Sequence, residues 1–238
     1  MKRGSRPKNN IKLEWNPELA YIVGLITTDG SLSKDKRHIN FTSKDLQLVR
    51  LFKRCLKLKI VIGKKARGAE EEKKYFQVQF GNVLFYKWLE GVGLTSNKSK
   101  TLGRLKIPDE YFFDFLRGCF DGDGSMYAYW DPRWRSSYMF YLQFTSASYD
   151  FLLWLQNSIK RLAGIGGKIK TSSRSYQLAF AKTDTAIVFD RMFYEKKLPC
   201  LRRKFLKARK IFLEDKKHNN CPDGGIGIRN RLRAYARN

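Results

Sequence analysis

Asp29 and Asp123 each close an apolar stretch that reads as a helix, and each is followed by glycine and serine. The stretches are LAYIVGLITTDGSL (Leu19 to Leu32) and FLRGCFDGDGSM (Phe115 to Met126), with a mid-helix glycine in both, Gly24 and Gly118. A carboxylate at a helix C-terminus sits against the negative end of the macrodipole, where a cation is favoured. Finding that arrangement twice implies that each carboxylate is held for something else. If the two helices pack side by side, their glycines permit close backbone approach and the helix ends converge. Two ionised carboxylates in a partly buried site then require raised pKa values or a compensating cation. A hard divalent ion such as Mg²⁺ with oxygen ligands meets that need. Phosphodiester hydrolysis suits such a pair, since the metal activates water and stabilises charge on the attacking and leaving oxygens.

The elements that position these residues come as a tandem duplication. His38-Ile39-Asn40-Phe41-Thr42-Ser43 parallels Tyr141-Leu142-Gln143-Phe144-Thr145-Ser146, and amphipathic stretches follow at Leu46 to Lys57 and Tyr149 to Gly164. Glycine turns with lysine come next (Ile62 to Lys65, Ile165 to Lys168), then the alternating runs KYFQVQFG (Lys74 to Gly81) and SYQLAFAK (Ser175 to Lys182). A period of two predicts strands with one apolar face. Each half therefore reads helix, two strands, helix, two strands, helix: an α+β chain of αββαββα halves related by a pseudo-two-fold. Asn16, Pro17 and Glu18 signal the first helix start, and Pro108-Asp109-Glu110 the second. The expected organisation is a basic tail over 1–10, a first half over 11–97, a sparsely apolar linker over 98–108, a second half over 109–217 and a basic tail over 218–238.

Composition narrows the partner. The 238 residues include 48 Lys and Arg against 22 Asp and Glu, a net charge of +26, with 42% hydrophobic residues to build a core. Such an excess opposes folding by self-repulsion and predicts an anionic partner, with nucleic acid foremost. Nothing reads as a membrane-spanning helix or a secretory signal. Cys55, Cys119, Cys200 and Cys221 form no Cys-x-x-Cys pair, which argues against a zinc site and fits a reducing intracellular setting. His38 and His218 are the only histidines, so His-dependent hydrolysis is disfavoured. Asp223-Gly224 reads as an ordinary turn, with no preceding helix and no mate. Asp121 to Ser125 mimics a calcium loop, but glycine stands fourth rather than sixth and Pro132 occupies the place of the bidentate Glu.

Ile22 to Gly30 (IVGLITTDG) and Leu116 to Gly124 (LRGCFDGDG) resemble the two signature nonapeptides of a single-chain LAGLIDADG homing endonuclease, and the resemblance spans about residues 12 to 215. It implies a monomer with motif helices at the centre and two antiparallel four-stranded sheets forming a saddle along a double-stranded DNA target. It further implies that Asp29 and Asp123 bind metal, with the backbone at Thr28 and Gly122 beside them. Mg²⁺ or Mn²⁺ would serve, and Ca²⁺ would bind without supporting cleavage. Asn40 and Gln143 are the polar residues beside each scissile phosphate. Lys98 is the basic residue of the first half, and Arg202 or Lys204 that of the second, with Arg202 taken first. Alternation along the strands places Ser31, Ser33, Asp35, Thr42, Lys44, Gln77 and Gln79 toward DNA in one half. Ser125, Tyr127, Tyr129, Thr145 and Gln177 face it in the other. Thr27 corresponds to Asp121, and Asn40 to Gln143, so the two strands need not be cut equally fast.

The expected activity is site-specific, metal-dependent double-strand cleavage of a long target by an intron-encoded enzyme. An intron RNA maturase or a non-cleaving nucleic-acid-binding protein on the same fold is the alternative. A basic structural RNA-binding protein would account for the charge but not for the matched carboxylates.

Overall fold

The computed structural model describes residues 11–66, 72, 74–98, 100–134 and 137–218. Both terminal tails beyond that range, with Asp223-Gly224 and Cys221, lie outside the described residues.

Helix α1 (Pro17–Asp29) starts as its sequence dictates, with the Asn16 side chain accepting from Leu19 N at 2.9 Å. Strands β1 (Gly30–Leu32) and β2 (His38–Ser43) follow, then α2 (Leu46–Cys55), β3 (Gly63–Lys65), β4 (Tyr75–Gly81) and α3 (Val83–Val92). The second half repeats the order with α4 (Phe112–Gly122), β5 (Ser125–Trp130), β6 (Tyr138–Ser146), α5 (Tyr149–Ala163), β7 (Lys168–Ser172), β8 (Ser175–Ala181) and α6 (Lys182–Met192). Each half builds one antiparallel sheet, ordered β1-β2-β4-β3 and β5-β6-β8-β7. The αββαββα reading of both halves holds, and the sheet faces divide as the alternation requires. Ile39, Phe41, Val78 and Phe80 are buried under the helices, where Phe41 stacks on Phe52 of α2 at 4.3 Å.

Three features refine the expectation. Asp109 does not open α4: a 3-10 turn (Asp109–Tyr111) intervenes, and the Asp109 carboxylate is taken by the Arg161 guanidinium. The sparsely apolar linker packs against the fold through its described leucines, since Leu102 and Leu105 are buried and Ser148 donates to the Leu102 carbonyl. Finally, a seventh helix, α7 (Arg202–His218), occupies what reads in sequence as a basic cluster. Its apolar residues Ala208, Ile211 and Phe212 are buried, at the spacing of one helical face, and Phe212 meets Phe140 of β6 edge-on at 5.5 Å. Charge masked that periodicity.

The two halves meet through α1 and α4. A Cβ on Gly24 would lie 2.2 Å from the Phe115 carbonyl oxygen, and one on Gly118 would lie 2.1 Å from that of Tyr21. The backbones therefore touch at the two mid-helix glycines. Toward the helix ends, the Thr28 side chain fills the space a Cβ on Gly122 would need.

Candidate active site

Close packing of α1 and α4 delivers Asp29 and Asp123 to one place, at adjacent helix C-termini. Neither helix carries a basic residue in its last turn. The missing cations arrive from elsewhere in the chain. Lys98, buried at 7% exposure, donates its ammonium to the Gly30 carbonyl just past α1. Lys204 of α7 donates to the carbonyls of Phe120, Gly122 and Gly124, at 2.7, 2.8 and 2.6 Å, around the end of α4. Each lysine so occupies the position that the helix dipole favours for a cation.

The four charges shift one another. Burial raises Asp29 to about 7, and the neighbouring Asp123 carboxylate pushes the same way. Asp123 is raised by desolvation, with Lys204 and Lys98 opposing. Burial lowers both Lys98 and Lys204 to about 8, against the pull of Asp29 and Asp123 on both and, more strongly at Lys204, of Asp121. No side chain or backbone group among the described residues hydrogen-bonds to the Asp29 or Asp123 carboxylate. Two accessible, unpartnered carboxylates in a desolvating recess fit a hard cation of the Mg²⁺ type, which takes one or two protein carboxylates and leaves its other positions to water or phosphate. Among the described residues no third carboxylate, histidine or cysteine joins them.

Other predicted residues sort by position. Arg202 is not brought to the site: its guanidinium lies over the Phe205 ring at 5.8 Å, while Lys204, two residues on, points inward. Helical phase decides this, because α7 turns the two side chains to different faces. The Gly122 carbonyl already accepts from Lys204, and the Thr28 hydroxyl turns back to the Leu25 and Gly24 carbonyls at 3.1 and 3.3 Å. Asn40 pairs in register with Ser31 and Gln79, and Gln143 with Ser125. Thr42 lies opposite Gln77, and Thr145 opposite Gln177, so these residues share the polar face of their sheet. Lys44 lies just past β2, over the Tyr75 ring at 5.2 Å. Tyr127 and Tyr129 are on the same face of β5 and are exposed.

Ser33 and Asp35 are not strand residues. β1 ends at Leu32, and Asp35 closes the β1–β2 turn, accepting from the N–H groups of Arg37 and His38 at 3.0 Å each and pairing with His38 Nδ1. The matched pair Thr27 and Asp121 is unequal in another way than expected. Thr27 spends its hydroxyl on the Val23 carbonyl at 2.7 Å. Asp121 is fully buried; its Oδ2 accepts from the Tyr21 hydroxyl at 2.7 Å and from Leu201 N at 2.6 Å, and its Oδ1 has no partner. Burial raises its pKa to about 6. It anchors the residue that precedes α7 and so helps aim Lys204. Arg117 reinforces that anchor from α4, donating to Asp114 and to the Met192 and Pro199 carbonyls at 2.6, 2.7 and 3.0 Å. Nothing in the residue patterns above singles out Arg117, although a charge inside an apolar motif helix is a visible signal.

Residues 16–81 match the family model of the LAGLIDADG-like domain. No curated protein matches the sequence. Among solved structures, full-length DUF199/WhiA from Thermatoga maritima aligns over 92% of this chain with TM-score 0.53 and 18% identity; the chain spans 64% of that protein's length. The I-LtrWI LAGLIDADG homing endonuclease bound to target DNA aligns over 85% of this chain and 91% of its own (TM-score 0.57, 14% identity). The homing endonuclease I-WcaI bound to its DNA recognition sequence aligns over 84% and 88% (TM-score 0.60, 12% identity). At such identities the likeness is one of fold. With a motif at the end of each central helix and a four-stranded sheet in each half, the chain is a two-motif protein of the LAGLIDADG fold.

Proposed function

We propose that this protein is a divalent-metal-dependent DNA endonuclease that cuts both strands of a specific target, and that its gene lies within a mobile intron. The observation that carries the reading is the pair of unpartnered carboxylates, Asp29 and Asp123, flanked by buried Lys98 and half-buried Lys204 on a strongly basic chain. Asp29 and Asp123 would hold the metal, which would supply activation of water and charge stabilisation at the scissile phosphates. Lys98 and Lys204 stand at the two adjacent helix C-termini: Lys98, with one donor on the Gly30 carbonyl, keeps others for a phosphate oxygen, whereas Lys204, whose three donors go to the Phe120, Gly122 and Gly124 carbonyls, acts through its positive charge. Asn40 and Gln143 lie on the sheet face next to Ser31 and Ser125, where they can orient water or the DNA backbone. The polar sheet faces read base edges, Asn and Gln suiting adenine. DNA-bound relatives of the same fold support this choice of partner. No helix among the described residues is long and apolar enough to cross a membrane.

The test begins from the sequence formed by rejoining the exons that flank the intron. A plasmid bearing it should be linearised in Mg²⁺ and left intact in EDTA or with scrambled sequence. Sequence-specific binding without cleavage in any divalent metal would sink the enzymatic reading in favour of a binding protein. Equal binding to scrambled DNA and RNA would favour a general basic RNA-binding role.

Lys204 serves one helix end, so its loss should be strand-selective. Lys204→Met is expected to slow cutting of one strand by about 100- to 1000-fold, leaving nicked circles that accumulate before linear product. Arg202→Met should leave the ratio of nicked to linear plasmid at the parent value.

A further inference from the structure

The two sheets differ most where β5 and β6 extend beyond their counterparts. β1 has three residues and ends in the turn closed by Asp35 and His38, whereas β5 runs for six. In place of Ser33, Asp35 and His38, the second half carries Tyr127, Tyr129 and Tyr141. Tyr127 lies opposite Tyr141 in register, their rings stacked at 5.4 Å and 20°. Tyr129 also stacks with Tyr141, at 6.1 Å and 10°. Met139, opposite Tyr129, continues the same face. These are not core aromatics: Tyr127 and Tyr129 are 39% and 44% exposed, on the face shared with Ser125, Gln143 and Thr145. A ladder of three near-parallel rings holds its side chains in place before any ligand arrives, so binding costs little rotamer entropy.

We propose that Tyr127, Tyr129 and Tyr141, with Met139, form an apolar reading patch that selects thymine by its C5-methyl groups in the half-site bound by the second sheet. The inference rests on the DNA-target reading above and names a base class within that target. The physical reason is the chemistry each groove displays. In the major groove the thymine methyl is the apolar feature of a base pair, and it is recognised by apolar contact rather than by hydrogen bonding. Ring faces and a thioether suit that methyl, and the corresponding corner of the first sheet, with the Asp35–His38 pair, does not. The half-sites should therefore differ in kind, with polar readout in the first and methyl readout at this corner of the second.

The experiment is selection of randomised duplex DNA with the full chain carrying Asp29→Asn and Asp123→Asn, which removes cutting. The expected consensus contains thymines in the outer part of one half-site. Replacing those thymines by deoxyuridine should weaken binding about fourfold per methyl lost. Tyr127→Phe with Tyr129→Phe should keep the thymine preference, since the hydroxyls are not what reads the methyl. Tyr127→Ser with Tyr129→Asp, which installs the residue types of the first half, should erase that preference and leave the other half-site unchanged; circular dichroism verifies that the variant is folded. A consensus without thymine there, or deoxyuridine bound as tightly as thymine, overturns the proposal while leaving the DNA-target reading intact. Absence of any enriched sequence overturns both.

Discussion

Asp29→Asn and Asp123→Asn should each abolish double-strand cleavage, by about 1000-fold or more, while affinity for the target stays near the parent value. The size follows from losing a metal ligand whose charge stabilisation amounts to several kcal/mol, at about 1.4 kcal/mol per tenfold in rate. Plasmid linearisation in Mg²⁺ and a binding titration in Ca²⁺ read the two quantities separately. Cutting at the parent rate by either variant would remove these residues from the mechanism.

The same substitution should move stability the other way. Asp29 in the folded protein has its pKa raised from 3.8 to about 7 by burial and by Asp123. The folded state therefore holds that proton more tightly than the unfolded chain. Stability from this group is full below about pH 4, declines as pH rises toward 7, and is lost above it. Without metal, Asp29→Asn should melt higher than the parent at pH 8, by a margin of up to a few kcal/mol, and should match it at pH 4. Adding Mg²⁺ should raise the parent's Tm and narrow the gap, because a ligand that binds the folded state stabilises it. A variant that melts at the parent temperature at pH 8 in EDTA would show that Asp29 is not under this strain.

The second large effect is expected where the halves touch. Gly24→Ala or Gly118→Ala forces a Cβ to about 2 Å from a backbone carbonyl of the opposing helix, and a backbone obstacle cannot rotate away. Overpacking of that kind should cost about 3–5 kcal/mol, or roughly 10 °C in Tm for a chain of this size. Gly91 is the internal control: it lies on α3, and a methyl group added there would meet nothing within 4 Å. Gly91→Ala should be neutral or stabilising by up to about 1 kcal/mol. Thermal melts of the three variants decide it. A small loss at Gly24 comparable to that at Gly91 would mean that the helices do not need to pack so closely.

Lys204 illustrates the limit of reading by symmetry. Alignment of the halves points to Arg202, Arg203 and Lys204 but cannot choose among them, because repeated halves diverge in length between motif and basic residue. Lys98 reaches the carbonyl of Gly30 from 68 positions away, and Lys204 reaches that of Gly124 from 80. Register errors of one or two residues are harmless to a strand assignment that spans seven, but they redirect a helical side chain by about 100° per residue. The same cause assigns Ser33 and Asp35 to a strand they do not occupy, since nothing local announces that β1 stops at Leu32.

Local chemistry in the chain was enough for the duplication, the αββαββα order, the alternating sheet faces and the placement of Asp29 and Asp123 at matched helix ends. All of these rest on short-range patterns: periods of two and 3.6, caps, and glycine where backbones must meet. Tertiary packing decided the rest. It brought Lys98 and Lys204 to helix ends distant in sequence and gave Asp121 to Leu201 and Tyr21 rather than to the open recess. It also lifted Asp29 to about 7 and turned Arg202 away. Desolvation and the field of neighbouring charges depend on what surrounds a group in three dimensions, so no local pattern in the chain encodes them.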